Sequence, residues 1–157
     1  MKLRIQYLLI AVFSIFVGSQ ITEAVLLVPF WKSLSTEGFY DYYAEWGPKL
    51  GKFYTILTVI ALLIPIGTAV HFRNKSGSAL IHAMISTAFA ILFIAMFYLY
   101  FKDINQHFLA ASLSPAQLKS TLTTWGRWHW VRVLLEIFSL GFLCLCFNEQ
   151  DRKATPQ

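Results

Sequence analysis

Residues Ala79–Phe101 read ALIHAMISTAFAILFIAMFYLYF, 23 positions without an aspartate, glutamate, lysine or arginine. An α-helix rises about 1.5 Å per residue, so about 20 such residues cross the hydrocarbon of a bilayer. The run therefore predicts a membrane-spanning helix. Working outward, three more runs have the same character: Ile5–Trp31, Leu50–Phe72 and Gly126–Phe147. Together the four take up more than half of the 157 residues, which excludes any large domain outside the bilayer. Composition agrees, because 13% of the chain is charged and 57% hydrophobic, against about 25% charged in a soluble domain. The expected fold is all-α. A single domain over residues 1–157 forms an integral membrane bundle of four antiparallel spans, with short interfacial helices on the outer side.

Charge and cysteine usage narrow the partners. The formal net charge of +5 comes from 13 Lys and Arg scattered singly against 8 acids, without the basic stripe of a nucleic-acid reader. No nucleic acid is expected, and the lipid bilayer is. Cys144 and Cys146 are two apart, which turns them about 200° from each other on a helix, so they pair neither as a disulfide nor as metal ligands. Lys2 and Arg4 precede the first apolar run as in a signal peptide, yet no convincing cleavage site follows, and a retained span is expected,. With the N-terminus in the cytoplasm, Lys2, Arg4, Arg73, Lys75, Arg152 and Lys153 fall inside, and Lys32, Lys49, Lys52, Lys102, Lys119 and Arg127 outside. The numbers are equal. The inner residues occupy the shorter segments, where positive charge is most decisive, so both termini are placed on the cytoplasmic side of a cell inner membrane. All five tryptophans, Trp31, Trp46, Trp125, Trp128 and Trp130, then form an outer belt,.

Local signals mark the helix starts. Ser114, Pro115 and Gln117 make a capping-box pattern with proline at the first helical position, so a helix begins at Pro115 and runs on into the fourth span,. Pro48 is suited to open the second helix and Ser78 to cap the third,. Pro65, mid-span, predicts a kink. Phe39, Tyr42, Tyr43 and Trp46 recur at helical spacing, which suggests a short helix lying in the interface,.

Ionisable groups inside a span cost upwards of about 2.5 kcal/mol each at the bilayer centre, so they require a reason. In the fourth span Trp125, His129, Arg132 and Glu136 are four, three and four residues apart, which sets them on one helical face,. In the first span Ser19, Gln20 and Glu23 share a face, and Thr55 and Thr58 lie near the start of the second. The antiparallel layout brings these groups to one depth. Singly they have plain explanations: Arg132 with Glu136 as an intrahelical ion pair, His129 as an interfacial histidine, Glu23 as a helix contact. Jointly they favour a polar pocket in which Glu23 faces Arg132 or His129. His71 and His107 sit at membrane edges, His82 one turn into the third span, and Phe89, Phe93 and Phe97 are best taken as a packing ridge,. There is no histidine pair at metal spacing, no glycine-rich phosphate loop and no Ser-His-Asp order,. Neither a metal nor a cofactor is expected.

The segment Ile104–Glu136, INQHFLAASLSPAQLKSTLTTWGRWHWVRVLLE, resembles the terminal signature of a family of small four-span membrane proteins that includes the fungal anthrone oxygenases. There an asparagine turn follows span three, a short amphipathic helix comes next, and a W-G-x-x-H-x-x-R segment opens span four. The matching positions are Asn105, Trp125, Gly126, His129 and Arg132, with Asp103 where a proline often precedes the asparagine. Glu45–Tyr54, EWGPKLGKFY, is similar to the family's approach to span two, and Val28-Pro29-Phe30 to its exit from span one. For anthrone oxygenases the resemblance implies cofactor-independent oxidation of an activated polyphenolic ring to a quinone by molecular oxygen. In that role His129 would be the base, Arg132 and Asn105 would stabilise the oxyanion, and Trp125 would stack on the ring, with Glu23 and Glu136 beside the substrate. A planar aromatic or quinoid small molecule is the expected ligand, and one that partitions into the bilayer suits entry from the side. Non-catalytic binding or transport of such a ligand, an accessory-subunit role and a homo-oligomer stay open.

Overall fold

The computed structural model describes residues 3–74 and 77–154, with side chains over 5–74 and 77–150. Lys2, Lys75 and the side chains of Arg4, Arg152 and Lys153, which entered the count for membrane orientation, lie outside the described residues. The described chain is helical apart from short turns. Helix α1 spans Leu3–Thr22, a π-helical turn Glu23–Leu27, α2 Val28–Ser33, α3 Thr36–Phe72, α4 Ser78–Met96, a second π-helical turn Phe97–Phe101, α5 Lys102–Leu109, and α6 Pro115–Ala154. Four continuous helical stretches, Ile5–Ser33, Thr36–Phe72, Ser78–Leu109 and Pro115–Gln150, are long and apolar enough to cross a membrane. The protein is an all-α four-helix bundle of integral membrane character.

The start at Pro115 has the expected chemistry. Gln117 Oε1 accepts from both the N–H and the Oγ of Ser114, each at 2.9 Å, and Leu118 N–H donates to the Ser114 carbonyl. Three local expectations are corrected. Phe39–Trp46 is not a separate interfacial helix but the first turns of α3, capped by Ser35 Oγ, which accepts from Gly38 N–H at 3.1 Å. Pro48 consequently lies inside that helix and does not open it; it removes one donor four residues after Ala44, which is exposed and has water or headgroups for its carbonyl,. Ser78 does not cap α4. That position belongs to Gly77, whose φ of 133° suits a residue without a Cβ,, and Ser78 Oγ instead donates to Glu149 Oε2 at 3.0 Å. The helix continues through Pro65 to Phe72.

Both π-helical turns interrupt spans. Pro29 has no amide to donate, and the first span passes it by widening to i+5 pairing, with Val28 N–H donating to the Glu23 carbonyl,. The second widening ends with Lys102 N–H on the Phe97 carbonyl. The spans pack as a ring in which the first contacts α3, α3 contacts α4, α4 contacts α6, and α6 returns to α1. Helices in lipid gain little from the hydrophobic effect and associate through small residues and hydrogen bonds. The α4–α6 crossing does this with buried Ala83, Ser86 and Ala90 on α4. Ser86 Oγ donates to the Ser139 carbonyl at 2.8 Å, and Ser139 Oγ to the Ser86 carbonyl at 2.9 Å. Phe89 of the expected ridge stacks on Phe138 and Phe142 of α6.

Two apolar cores result. One, toward the end that holds both termini, gathers Phe13, Phe16, Ile64, Phe72, Leu143 and Phe147. The other fills the opposite, aromatic end with Trp31, Phe39, Tyr43, Phe101, Phe108 and Trp125. Tyr40 fastens the turn before α6 over this second core: its hydroxyl donates to the Leu113 carbonyl at 2.8 Å and accepts from Leu113 N–H at 3.2 Å. Glu23, His129 and Arg132 lie between the two cores, whereas Gln6, Thr68 and His82 belong to the end that holds the termini.

Candidate functional site

The polar layer is built around α6. Trp125 stacks on His129, one turn on, with ring centroids 5.0 Å apart and planes at 16°. Its indole Nε1 donates to Asn105 Oδ1 at 3.0 Å. Indole is a donor only, so this bond fixes the amide: Oδ1 is occupied and the NH₂ is the free end. Gly126 admits the first span, since a Cβ there would stand 3.0 Å from Val28 Cγ1. That approach places Trp31 5.3 Å from Trp125, ring to ring.

His129 is fully buried. Its Nε2 donates to the Gln20 carbonyl at 3.0 Å and lies 3.7 Å from Glu23 Oε2, so Glu23 meets His129 across the bundle as the depth argument expects. The other ring nitrogen, Nδ1, has no hydrogen-bond partner among the described residues.

Arg132 is held differently. Its guanidinium carbon lies over two rings, 4.3 Å from the centroid of Phe93 and 4.4 Å from that of Phe101, both within cation–π range. Among the described residues no carboxylate oxygen comes within 4.0 Å of it. The intrahelical Arg132–Glu136 ion pair is therefore not formed. Glu136, 2% exposed, has both carboxyl oxygens without a hydrogen-bond partner, beside a void of about 10 Å³ that it shares with Phe16, Thr58 and Ser139. A void of that size is near the least that holds one water.

A cavity of about 460 Å³ occupies the centre of the aromatic half, within the range of small-molecule sites. Glu23, Asn105, Trp125 and Arg132 line it, as do Thr55 and Thr58. His129 and Glu136 do not; they stand behind the wall that Trp125 and Arg132 form. Tyr43 and Tyr54 also line the cavity, although the spacing of ionisable residues in the spans marks neither. Tyr54 lies within EWGPKLGKFY, and its hydroxyl donates to the Ser19 carbonyl at 3.3 Å. Gly47 serves Tyr43, because a Cβ there would come 2.8 Å from the Tyr43 ring. Among the described residues no three His, Cys, Asp or Glu side chains gather as a ligand set.

Fold and site together define a four-span membrane bundle with a largely apolar cavity in one half, into which a few polar and charged side chains converge. No protein-family model, characterised protein or solved structure matches the chain.

Proposed function

We propose that the protein binds a planar phenolic or quinoid molecule in this cavity, with Arg132 directed at a ring oxygen. The observation that carries the proposal is the guanidinium lodged over the Phe93 and Phe101 rings at the cavity wall, with no carboxylate in contact. A buried cation at a cavity wall with no carboxylate in contact favours an anionic or strongly polarised oxygen. The free NH₂ of Asn105 adds a second donor, and the Trp31, Tyr43 and Trp125 rings supply flat surfaces,.

The reaction implied by the sequence resemblance fits such a ligand. An anthrone loses a proton to give an electron-rich enolate, which reacts with dioxygen; the ring CH₂ becomes C=O, and anthrone plus O₂ gives anthraquinone plus water. Glu23 is the carboxylate that borders the cavity, and we assign it the proton-accepting role, with His129 at 3.7 Å orienting it,. His129 lacks contact with the cavity, which argues against its acting as the base itself.

The test uses protein in lipid nanodiscs, with oxygen uptake measured on anthrone and binding measured on a naphthoquinone. Uptake by wild type that Glu23→Gln abolishes while quinone binding survives supports the oxidation. Binding without uptake makes the protein a carrier or receptor for the same ligand class, and absence of both refutes the proposal.

A further inference from the structure

The cavity is closed on most sides and open on one. Its walls from the first span and α6, Glu23, Trp31, Trp125 and Arg132, are buried, and so is Tyr43 of α3. The aromatic core caps it toward the membrane surface, with Phe39, Phe101 and Phe108 each at most 1% exposed. The exposed lining residues form two rows: Pro48, Gly51, Thr55 and Val59 on α3, and opposite them Tyr98, Lys102, Gln106 and Leu109 along the second π-helical turn and α5. These two rows are the lips of a slot. From Gly51 to Val59 the α3 lip runs eight residues, about 12 Å along the helix axis. Gly51, Thr55 and Val59 fall within the apolar run Leu50–Phe72 and Tyr98 within Ala79–Phe101, while Lys102 and Gln106 lie just beyond it, so the slot opens toward lipid at its deep end and toward the headgroups at its other.

The geometry points to a lateral portal between α3 and the π-turn–α5 segment, through which a ring lipid enters from the leaflet at the aromatic end and leaves its hydrocarbon tail in the bilayer. The inference rests on the proposed quinoid ligand and narrows it to a quinone or phenol that carries an alkyl or prenyl chain. With a ring oxygen at Arg132, on the wall opposite the slot, the far edge of the ring points outward between the lips. A chain attached there does not need to fit within about 460 Å³; it continues among the acyl chains. The lips are graded to match. Lys102 and Gln106 lie toward the aromatic end and the headgroups, whereas Val59 and Tyr98 lie deeper,. Gly51 borders open space, since a Cβ at that position meets no atom within 4 Å, so only a bulky side chain there would reach across the slot.

The probe is a naphthoquinone with a decyl chain and a diazirine at mid-chain, in nanodiscs of phosphatidylcholine. The protein carries Trp46→Phe, Trp128→Phe and Trp130→Phe, so that quenching reports Trp31 and Trp125 at the cavity wall. The expected result is saturable quenching, together with light-driven adducts on Val59 and Tyr98 that the untagged quinone competes away. Gly51→Phe should weaken quenching by about tenfold or more, and Thr55→Phe serves as the plug should that variant fail to fold. Quenching that persists through both phenylalanine plugs, or adducts confined to lipid, overturns the portal and leaves the ring site standing. Absence of quenching in the unplugged protein removes the ring site and the portal with it.

Discussion

Arg132→Lys is the most informative single change, because it preserves charge and alters only geometry. In the native site two aromatic faces hold the guanidinium at 4.3 and 4.4 Å. Each such contact contributes about 0.5–2 kcal/mol, the upper part of the range applying to desolvated sites. An ammonium is a compact point charge and cannot present a fork of donors to a ligand oxygen. A hydrogen bond to a charged group is worth about 1.5–3 kcal/mol net. If one of the two donors of a forked contact is lost, binding weakens by about 2 kcal/mol, or roughly thirtyfold in Kd. Arg132→Met goes further, since it removes the cation from a layer that also holds Glu23 and Glu136. It should lower stability as well as affinity, and Arg132→Met with Glu136→Gln should recover part of the stability, a coupling of about 1 kcal/mol or more. The assay is quinone quenching of cavity tryptophans in nanodiscs, alongside unfolding in a denaturing detergent. Lysine and methionine variants that both bind within about twofold of wild type would refute the assignment of Arg132 to the ligand oxygen.

Four more outcomes are expected. Asn105→Leu leaves the buried Trp125 indole N–H without its acceptor and should destabilise by about 1–3 kcal/mol, whereas Asn105→Leu with Trp125→Phe should cost less than the single change, as read by unfolding midpoints. Ser86→Ala with Ser139→Ala removes both reciprocal bonds of the α4–α6 crossing and should cost about 1–3 kcal/mol, at about 0.6–1.7 kcal/mol per bond. His129→Ala strips the Gln20 carbonyl of its side-chain donor and opens a hole, a loss of about 2–4 kcal/mol in stability; at temperatures where the variant stays folded, its quinone affinity should fall less than that of Arg132→Met. For orientation, cysteines at the exposed positions Glu37 and Asn74, on a background with Cys144 and Cys146 changed to alanine, should react with an impermeant maleimide from the outside and the cytoplasmic side respectively. The reverse labelling inverts the topology.

How much of this was legible in the sequence depends on the range over which each feature is set. The start of α6 was legible because Ser114, Pro115 and Gln117 determine it within one turn. The meeting of Glu23 with His129 followed from depth in an antiparallel bundle. The π-helical turns were not legible. Pro29 announces a lost amide, but whether a helix breaks, kinks or widens to bridge that loss depends on the helices packed around it,. Pro48 misled for a related reason, since proline at a helix start and proline one turn from exposed backbone read alike in sequence.

The polar stripe of α6 shows where the limit falls. At about 100° per residue, Trp125 and Arg132, seven apart, lie within about 20° of each other, and so do His129 and Glu136, with the second pair rotated about 40° from the first. The spacing therefore predicts one shared face, and the four side chains do occupy one side of the helix. Yet a turn of about 40° separates lining a cavity from supporting its wall. Trp125 and Arg132 border the cavity, while His129 and Glu136 turn toward the first span and the neighbouring core. The rotation of α6 is fixed by contacts distant in sequence: Gly126 against Val28, Ser139 against Ser86, and the His129 bond to the Gln20 carbonyl. A residue pattern on one helix identifies which groups share a face; only the packing of the other three spans decides which of those groups a ligand can touch, and here that choice assigns contact to the guanidinium and support to the imidazole.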